Sequence, residues 1–138
     1  ASLLKQDWRD MTTGQPIEYC SDPEMAGKYW AAMVQEIRAQ APSVPGRYLE
    51  IRYEDLVNQP RETMATVLAF LDEPWDDAVL SHQDSQVELP DTESSSAQVS
   101  QPIHTRSVSR WKSELSSSDR AKIESWAAPM LKELGYVA

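Results

Sequence analysis

The sequence predicts an α/β protein that is mostly helical and contains one clear strand. Residues 49–53 alternate apolar and charged side chains, which is the period-two pattern of a β-strand. Elsewhere apolar residues recur at helical spacing, and prolines or short polar residues stand where helices would begin. A strand that leads into a helix is half of a βαβ unit, which needs parallel neighbouring strands. Because no other segment has a convincing strand pattern, we expect those neighbours to come from residues outside this sequence or from another chain.

The predicted strand leads into a helix. We expect the strand to end near Tyr53, where acidic and amide side chains interrupt the alternation. Pro60 suits the first turn of the helix, because it has no N–H to lose there. One apolar face of this helix is formed by residues at i, i+3, i+4 and i+7, namely Met64, Val67, Leu68 and Leu71.

Two helices are predicted before the strand. Residues 2–11 place Leu3, Leu4 and Trp8 at helical spacing, so a helix is expected there. Residues 21–24 then combine a capping oxygen, a proline and a glutamate three residues after the serine, which is a strong helix start. This second helix should be long, amphipathic and finished before Pro42. Its apolar side chains, which we expect to pack in the core, are Tyr29, Trp30, Met33, Val34 and Ile37.

The C-terminal half is predicted to hold three more helices. Residues 75–82 and 107–115 suggest short ones. They are separated at residues 83–100 by a long loop poor in apolar side chains. A last helix should be capped by the serine cluster at 116–118 and should end at Gly135.

Charge is spread unevenly along the chain. The net charge of −9 argues against a general nucleic-acid binder. Acids crowd residues 72–93, which carry no Lys or Arg, whereas residues 95–112 carry Arg106, Arg110 and Lys112 and no acid. Such a basic stretch can hold a small anion or can simply be a solvated face.

Several site classes are not expected. Cys20 is the only cysteine, so an internal disulfide and CxxC-type metal binding are excluded. His82 and His104 lie far apart without an H-E-x-x-H pattern, so no zinc site is expected.

No apolar run approaches the ~20 residues of a membrane span, and no signal-peptide pattern occurs. The start at Ala1, inside a periodic segment, suggests a piece of a longer protein.

Several motifs occur together in a characteristic order. They are Arg-Tyr-Glu-Asp-Leu-Val at 52–57, Pro60, Phe-Leu at 70–71, Ser-Val-x-Arg-Trp-Lys at 107–112 and Leu-Gly-Tyr at 134–136. In this combination the chain resembles the sulfotransferase family, which uses 3′-phosphoadenosine 5′-phosphosulfate (PAPS). It is most similar to tyrosylprotein sulfotransferases and related bacterial sulfotransferases. The resemblance implies that residues 1–138 are the C-terminal portion of a single sulfotransferase domain with a P-loop-type parallel sheet. The phosphosulfate-binding half and the catalytic base would lie outside this chain.

The resemblance also implies a set of site residues. Ser2 matches a serine that binds the 3′-phosphate of the cofactor, and Tyr53 matches a tyrosine that contacts the nucleotide. Ser95 matches a serine thought to stabilise the transferring sulfuryl group, and it is the one implied catalytic residue. Arg110 stands where related enzymes carry lysine. The implied cofactor-binding residues are Ser2, Tyr53, Ser95, Ser96, Gln98, Val99, Gln101, Pro102, His104 and Arg110.

The chemistry of the donor agrees with these assignments. PAPS is a multiply charged anion, so a loop with two arginines, a lysine and no acid can neutralise it through charge-assisted hydrogen bonds. Fixed donors around the sulfuryl oxygens and the leaving phosphate would lower the barrier to transfer. No metal is required. Purely structural roles stay open: Tyr53 can be a packing residue at the strand end, and Ser2 an exposed helix residue.

We therefore predict part of a PAPS-dependent sulfotransferase that moves a sulfuryl group to a hydroxyl acceptor, with protein tyrosine as one candidate. The chain alone is not expected to be active, and the missing N-terminal half is a candidate partner. Paired cysteines of the tyrosylprotein enzymes are absent ahead of the strand, which favours a cytoplasmic location over the secretory pathway. The alternatives are a non-catalytic helical interaction module and a relative of nucleotide kinases.

Overall fold

A computed structural model describes Leu4, residues 7–84 and residues 101–136 of the chain. Its α-helices are α1 (Glu18–Ser21), α2 (Pro23–Gln40), α3 (Tyr53–Asn58), α4 (Pro60–Leu71), α5 (Trp111–Glu114) and α6 (Ser117–Glu133). Short 3₁₀ turns occupy Ala41–Ser43, Asp77–Leu80 and His82–Asp84. The chain divides into two compact units, one formed by Ala1–Pro45 with Ser109–Ala138 and the other by Gly46–Val108. The prediction of a mostly helical chain is confirmed.

The strand predicted at residues 49–53 is wrong. Within the described residues the only β-type pairing is an isolated antiparallel bridge between Arg9 and Pro16. Arg52 is extended, with φ −91° and ψ 138°, and Tyr53 already begins α3. An alternating pattern produces a strand only where a neighbouring strand offers its backbone groups. The described part of the chain supplies no such neighbour, so the pattern remains without a sheet.

Helix α4 follows its prediction closely. Pro60 occupies its first turn, as expected. After Leu71 the chain turns at Asp72, which has the left-handed φ of 57°. The Glu73 N–H then donates to the Leu68 carbonyl at 2.9 Å and closes the helix end.

The first unit is built on the packing of α2 against α6. Gly27 is buried in α2, and Ala127 and Met130 are buried in α6. Between the two helices, Trp126 Nε1 donates to Glu24 Oε1 at 3.0 Å, and Arg38 pairs with Glu133 at 2.9 Å. The short helix α1 also packs on α2 and buries Cys20.

The apolar stripe predicted to be buried on α2 is only partly so. Trp30 and Val34 are half-buried. Tyr29, Met33 and Ile37 are 43%, 42% and 45% exposed, so the prediction is wrong for these three. Tyr29 is exposed because it lies two residues after the buried Gly27, which places it about 200° around the helix from the buried side.

The helix predicted for residues 2–11 is also wrong over its continuously described part, residues 7–11. Asp10 instead organises a turn, because its carboxylate accepts from the backbone N–H groups of Thr12 and Thr13 at 3.0 and 2.6 Å. These bonds, that of the Thr13 N–H foremost, lower the pKa of Asp10. The Ile17 N–H closes the turn by donating to the Trp8 carbonyl. A side chain that satisfies local N–H groups in this way competes with a helix.

The C-terminal helix begins and ends where the sequence predicts. Ser116 Oγ accepts from the Asp119 N–H at 3.0 Å and caps α6, and Gly135 ends it with a φ of 73°. The other two predicted helices are shorter than expected. Within residues 75–82 only Asp77–Leu80 and the first residue of His82–Asp84 form 3₁₀ turns, and of 107–115 only Trp111–Glu114 is helical. The loop predicted at 83–100 lies outside the described residues from position 85 onward. Within the described ranges, no helix has both the length and the apolar character that crossing a bilayer requires.

Candidate functional site

The Gly46–Val108 unit contains a cavity of about 410 Å³. That volume falls within the range of small-molecule sites. Three parts of the unit form its walls: helices α3 and α4, the 3₁₀ turns after α4, and the segment 101–107. The lining residues are Tyr53, Leu56, Val57, Met64, Val79, His82, Gln101, Pro102, Ile103, His104 and Ser107.

The first wall results from the break between α3 and α4. Gln59 leaves the helical conformation, with φ −135° and ψ 61°, and Pro60 starts the next helix. The helical conformation is therefore interrupted between α3 and α4. Tyr53, in the first turn of α3, and Met64, in the second turn of α4, both line the cavity between them.

The second wall is fixed by a polar cluster. Asp77 Oδ1 accepts from Trp75 Nε1 at 3.0 Å and pairs with Arg61 Nη2 at 2.8 Å. The Arg61 guanidinium also lies 4.8 Å from the centre of the Trp75 ring. The Trp75 hydrogen bond, followed by that of Arg61, lowers the pKa of Asp77. This cluster ties α4 to the turn that carries Val79 to the cavity.

The third wall is the segment 101–107. Arg106 Nη2 donates to Gln101 Oε1, and the Val108 N–H donates to the Thr105 carbonyl at 2.9 Å. These bonds fold the segment back on itself. His104 Nδ1 is buried and has no hydrogen-bond partner in the described part of the protein. A buried imidazole nitrogen without a partner is costly, so it is available to a bound ligand.

The lining indicates what the cavity can hold. Most of the wall is aliphatic, and its polar groups are a phenol, two imidazoles, an amide and a hydroxyl. None of the described lining residues is Lys, Arg, Asp or Glu. Such a site suits a flat, uncharged ring with hydrogen-bonding edges better than a naked phosphate, because an anion in apolar surroundings needs a cationic partner.

The structure brings together four of the residues assigned to the cofactor by resemblance. Tyr53, Gln101, Pro102 and His104 line the same cavity. Arg110 belongs to the other unit, where its Nε donates to Glu114. The remaining assigned residues, Ser2, Ser95, Ser96, Gln98 and Val99, lie outside the described residues. The cofactor roles of all ten stay predictions.

Sequence reasoning missed most of the apolar lining. Leu56, Val57, Val79 and Ile103 have no polar chemistry that would single them out. Met64 was expected only as part of the apolar face of its helix. Within the described ranges, no three His, Cys, Asp or Glu side chains lie close enough together to hold a metal ion.

Comparison with known proteins identifies the family. A protein-family model described as "Sulfotransferase family" matches residues 5–77, which is more than half of the chain. The chain belongs to the sulfotransferase family. The matched region of this sulfotransferase-family chain includes α1 to α4, and therefore Tyr53 and two of the helices around the cavity.

Individual relatives are similar over a longer stretch. Protein-tyrosine sulfotransferase A of Caenorhabditis elegans is 36% identical over 111 residues, which are 78% of this chain and 29% of that protein. Protein-tyrosine sulfotransferase 1 of Danio rerio is 33% identical over 112 residues, 78% of this chain and 31% of that protein. Protein-tyrosine sulfotransferase of Drosophila melanogaster is 34% identical over 113 residues, which are 78% of this chain and 22% of that protein. The chain spans less than a third of the length of each of these relatives.

Proposed function

We propose that this chain is the C-terminal part of a sulfotransferase that transfers the sulfuryl group of PAPS to a hydroxyl acceptor. The observation that carries the proposal is the cavity shared by Tyr53, Gln101, Pro102 and His104, which come from distant parts of the sequence. The family match supports the reaction class. Relatives named protein-tyrosine sulfotransferase support protein tyrosine as the acceptor.

The cavity would hold the adenosine end of the donor. An adenine ring is flat, uncharged and rich in hydrogen-bonding edges, which matches aliphatic walls with a few polar groups. His104 Nδ1 would gain the partner that it lacks. The phosphates need cationic partners, and Arg110 is proposed as one of them because the resemblance assigns it to the cofactor.

The reaction would proceed by displacement at sulfur. The acceptor oxygen forms a bond to sulfur while the bond from sulfur to the 5′-phosphate oxygen breaks, and adenosine 3′,5′-bisphosphate leaves. A base outside this chain would take the proton of the acceptor hydroxyl. Ser95 is proposed to stabilise the transferring group, as the resemblance implies.

The proposal is tested by calorimetric titration of the complete protein that carries this sequence with adenosine 3′,5′-bisphosphate. Binding is expected, and Tyr53→Ala and Arg110→Ala should each weaken it by about tenfold or more. Tyr48→Ala is the matched control, because this tyrosine is exposed in the same unit and does not line the cavity. Absence of binding by the unmodified protein, or equal weakening by Tyr48→Ala, would reject the proposal.

Assays on the same complete protein distinguish two alternative functions from the sulfotransferase proposal. A non-catalytic interaction module is favoured by the half-exposed stripe of Tyr29, Met33 and Ile37 on α2. That protein would bind no bisphosphate and would transfer no label from ³⁵S-labelled PAPS to a tyrosine peptide. A relative of nucleotide kinases would use ATP as donor and leave PAPS unchanged.

A further inference from the structure

Arg110 is held by a neighbour one helical turn away. Its Nε donates to Glu114 Oε1 at 2.9 Å, and the two side chains are 36% and 18% exposed. The backbone sets this geometry, because the N–H groups of Ser113 and Glu114 both donate to the Arg110 carbonyl, at 3.1 and 3.0 Å. The carboxylate is therefore placed on the Nε side of the guanidinium by the local fold.

The contact leaves a specific part of the guanidinium available. Arginine presents five N–H donors in one rigid plane, and it can grip an anion from the side through Nε or end-on through its two Nη groups. Nε is occupied by Glu114, whereas neither Nη of Arg110 has a partner in the described part of the protein. Only the end-on grip is open to an incoming phosphate or sulfate oxygen.

We propose that Glu114 is a positioning residue for the donor: by binding Nε, it orients Arg110 so that its two Nη groups meet the anionic part of PAPS. This inference rests on the proposed function, because it assumes that Arg110 contacts the donor. It adds a residue that neither the motifs nor the family resemblance assigns. A fixed guanidinium loses less freedom on binding than a mobile one, so the ordering cost of binding falls.

A carboxylate next to an anion site also has an opposing effect. Its negative charge repels the ligand and partly neutralises the arginine. A simple deletion of Glu114 therefore mixes two contributions of opposite sign. Glu114→Gln and Glu114→Ala both remove the charge, but only glutamine retains an oxygen that can accept from Nε. The difference between these two variants isolates the positioning hydrogen bond.

The experiment measures the affinity of both variants for adenosine 3′,5′-bisphosphate in the complete protein. Glu114→Ala should bind about three- to tenfold more weakly than Glu114→Gln, which is the range expected for one hydrogen bond. In an Arg110→Ala background the difference between the two should vanish. Equal affinities, or a difference that persists without Arg110, would overturn the proposal. Absence of binding by the unmodified protein would instead reject the proposed function itself.

Controls separate this role from stability. Glu133→Ala and Glu133→Gln form the matched pair, since Glu133 also binds an arginine, Arg38, at 2.9 Å in the same unit. They should bind the bisphosphate equally. If Glu114→Ala does not fold, Glu114→Met replaces it, because methionine keeps the length of glutamine without its oxygen. The same three- to tenfold difference from Glu114→Gln is then expected.

Discussion

Gly27 of α2 lies directly against the backbone of Ile123 in α6. A Cβ atom built on Gly27 would sit 2.6 Å from the Ile123 carbonyl oxygen and 2.9 Å from its Cα. Both distances are shorter than any normal contact, and the opposing atoms belong to the main chain rather than to a flexible side chain. The two main helices of this unit can approach so closely only because residue 27 has no side chain.

Replacing Gly27 should therefore weaken the packing of α2 on α6. Gly27→Ala would force the helices apart and is expected to lower the free energy of unfolding by about 1–3 kcal/mol, although alanine has the higher helix propensity. Gln35→Ala, on the exposed face of the same helix, should leave stability unchanged or raise it slightly. Urea denaturation followed by circular dichroism measures both. A Gly27→Ala protein as stable as the unmodified one would contradict the close contact.

The N-terminal cap of α2 gives a second prediction. Asp22 Oδ1 accepts from the N–H groups of Glu24 and Met25 at 2.7 and 3.1 Å, whereas Ser21 Oγ donates back to the carbonyls of Ile17 and Glu18. Asp22→Ala should cost about 1 kcal/mol of unfolding free energy. Ser21→Ala should cost clearly less. Thermal unfolding of the two variants measures both losses of stability. A larger loss in Ser21→Ala than in Asp22→Ala would make Ser21 the functional cap.

Asp77 predicts a dependence of stability on pH. Hydrogen bonds from Trp75 and Arg61 lower the pKa of its carboxyl group below the unfolded value, so the carboxylate form is favoured in the folded protein. Its contribution to stability is therefore complete above about pH 4 and is lost as the pH falls through the lowered pKa. Asp77→Asn should flatten the acid side of the stability profile measured by urea denaturation. Glu62→Gln is the control on α4, and an identical loss of slope in both variants would contradict this role.

Filling the cavity should block the ligand. Val79→Trp places a large ring among the lining residues, so the affinity for adenosine 3′,5′-bisphosphate is expected to fall by about tenfold or more. Ala65→Trp adds the same bulk on the exposed side of α4 and should leave binding unchanged. Titration calorimetry on proteins with matched far-ultraviolet circular dichroism tests this. A folded Val79→Trp protein with normal affinity would place the ligand elsewhere.

Helix starts were predictable because their causes are local. Pro60 and the Ser116 cap act through a few neighbouring backbone groups, and α4 and α6 begin at the expected positions. The segment 49–53 was not predictable, since a strand depends on partners that no local pattern contains. On α2, periodicity marked an apolar stripe correctly but could not tell which side would meet α6.

The candidate site was predictable only in its polar part. Tyr53 and His104 were identified through motifs shared with a family, and the cavity brings them together. The aliphatic wall, including Leu56 and Val79, depends on how separate segments fold against each other. The Arg110–Glu114 contact needed the structure as well, because spacing of four residues forms an ion pair only where the backbone is helical.

Cys20, the single thiol within these 138 residues, reports the local opening of its helix. Cys20 is only 4% exposed, in a short helix that rests on α2. A reagent such as dithionitrobenzoate can attack it only when α1 lifts away, so the rate of colour development measures how often that happens. Within these 138 residues no second cysteine competes for the reagent. The rate at which Cys20 reacts can be compared among the variants described above without attaching a label.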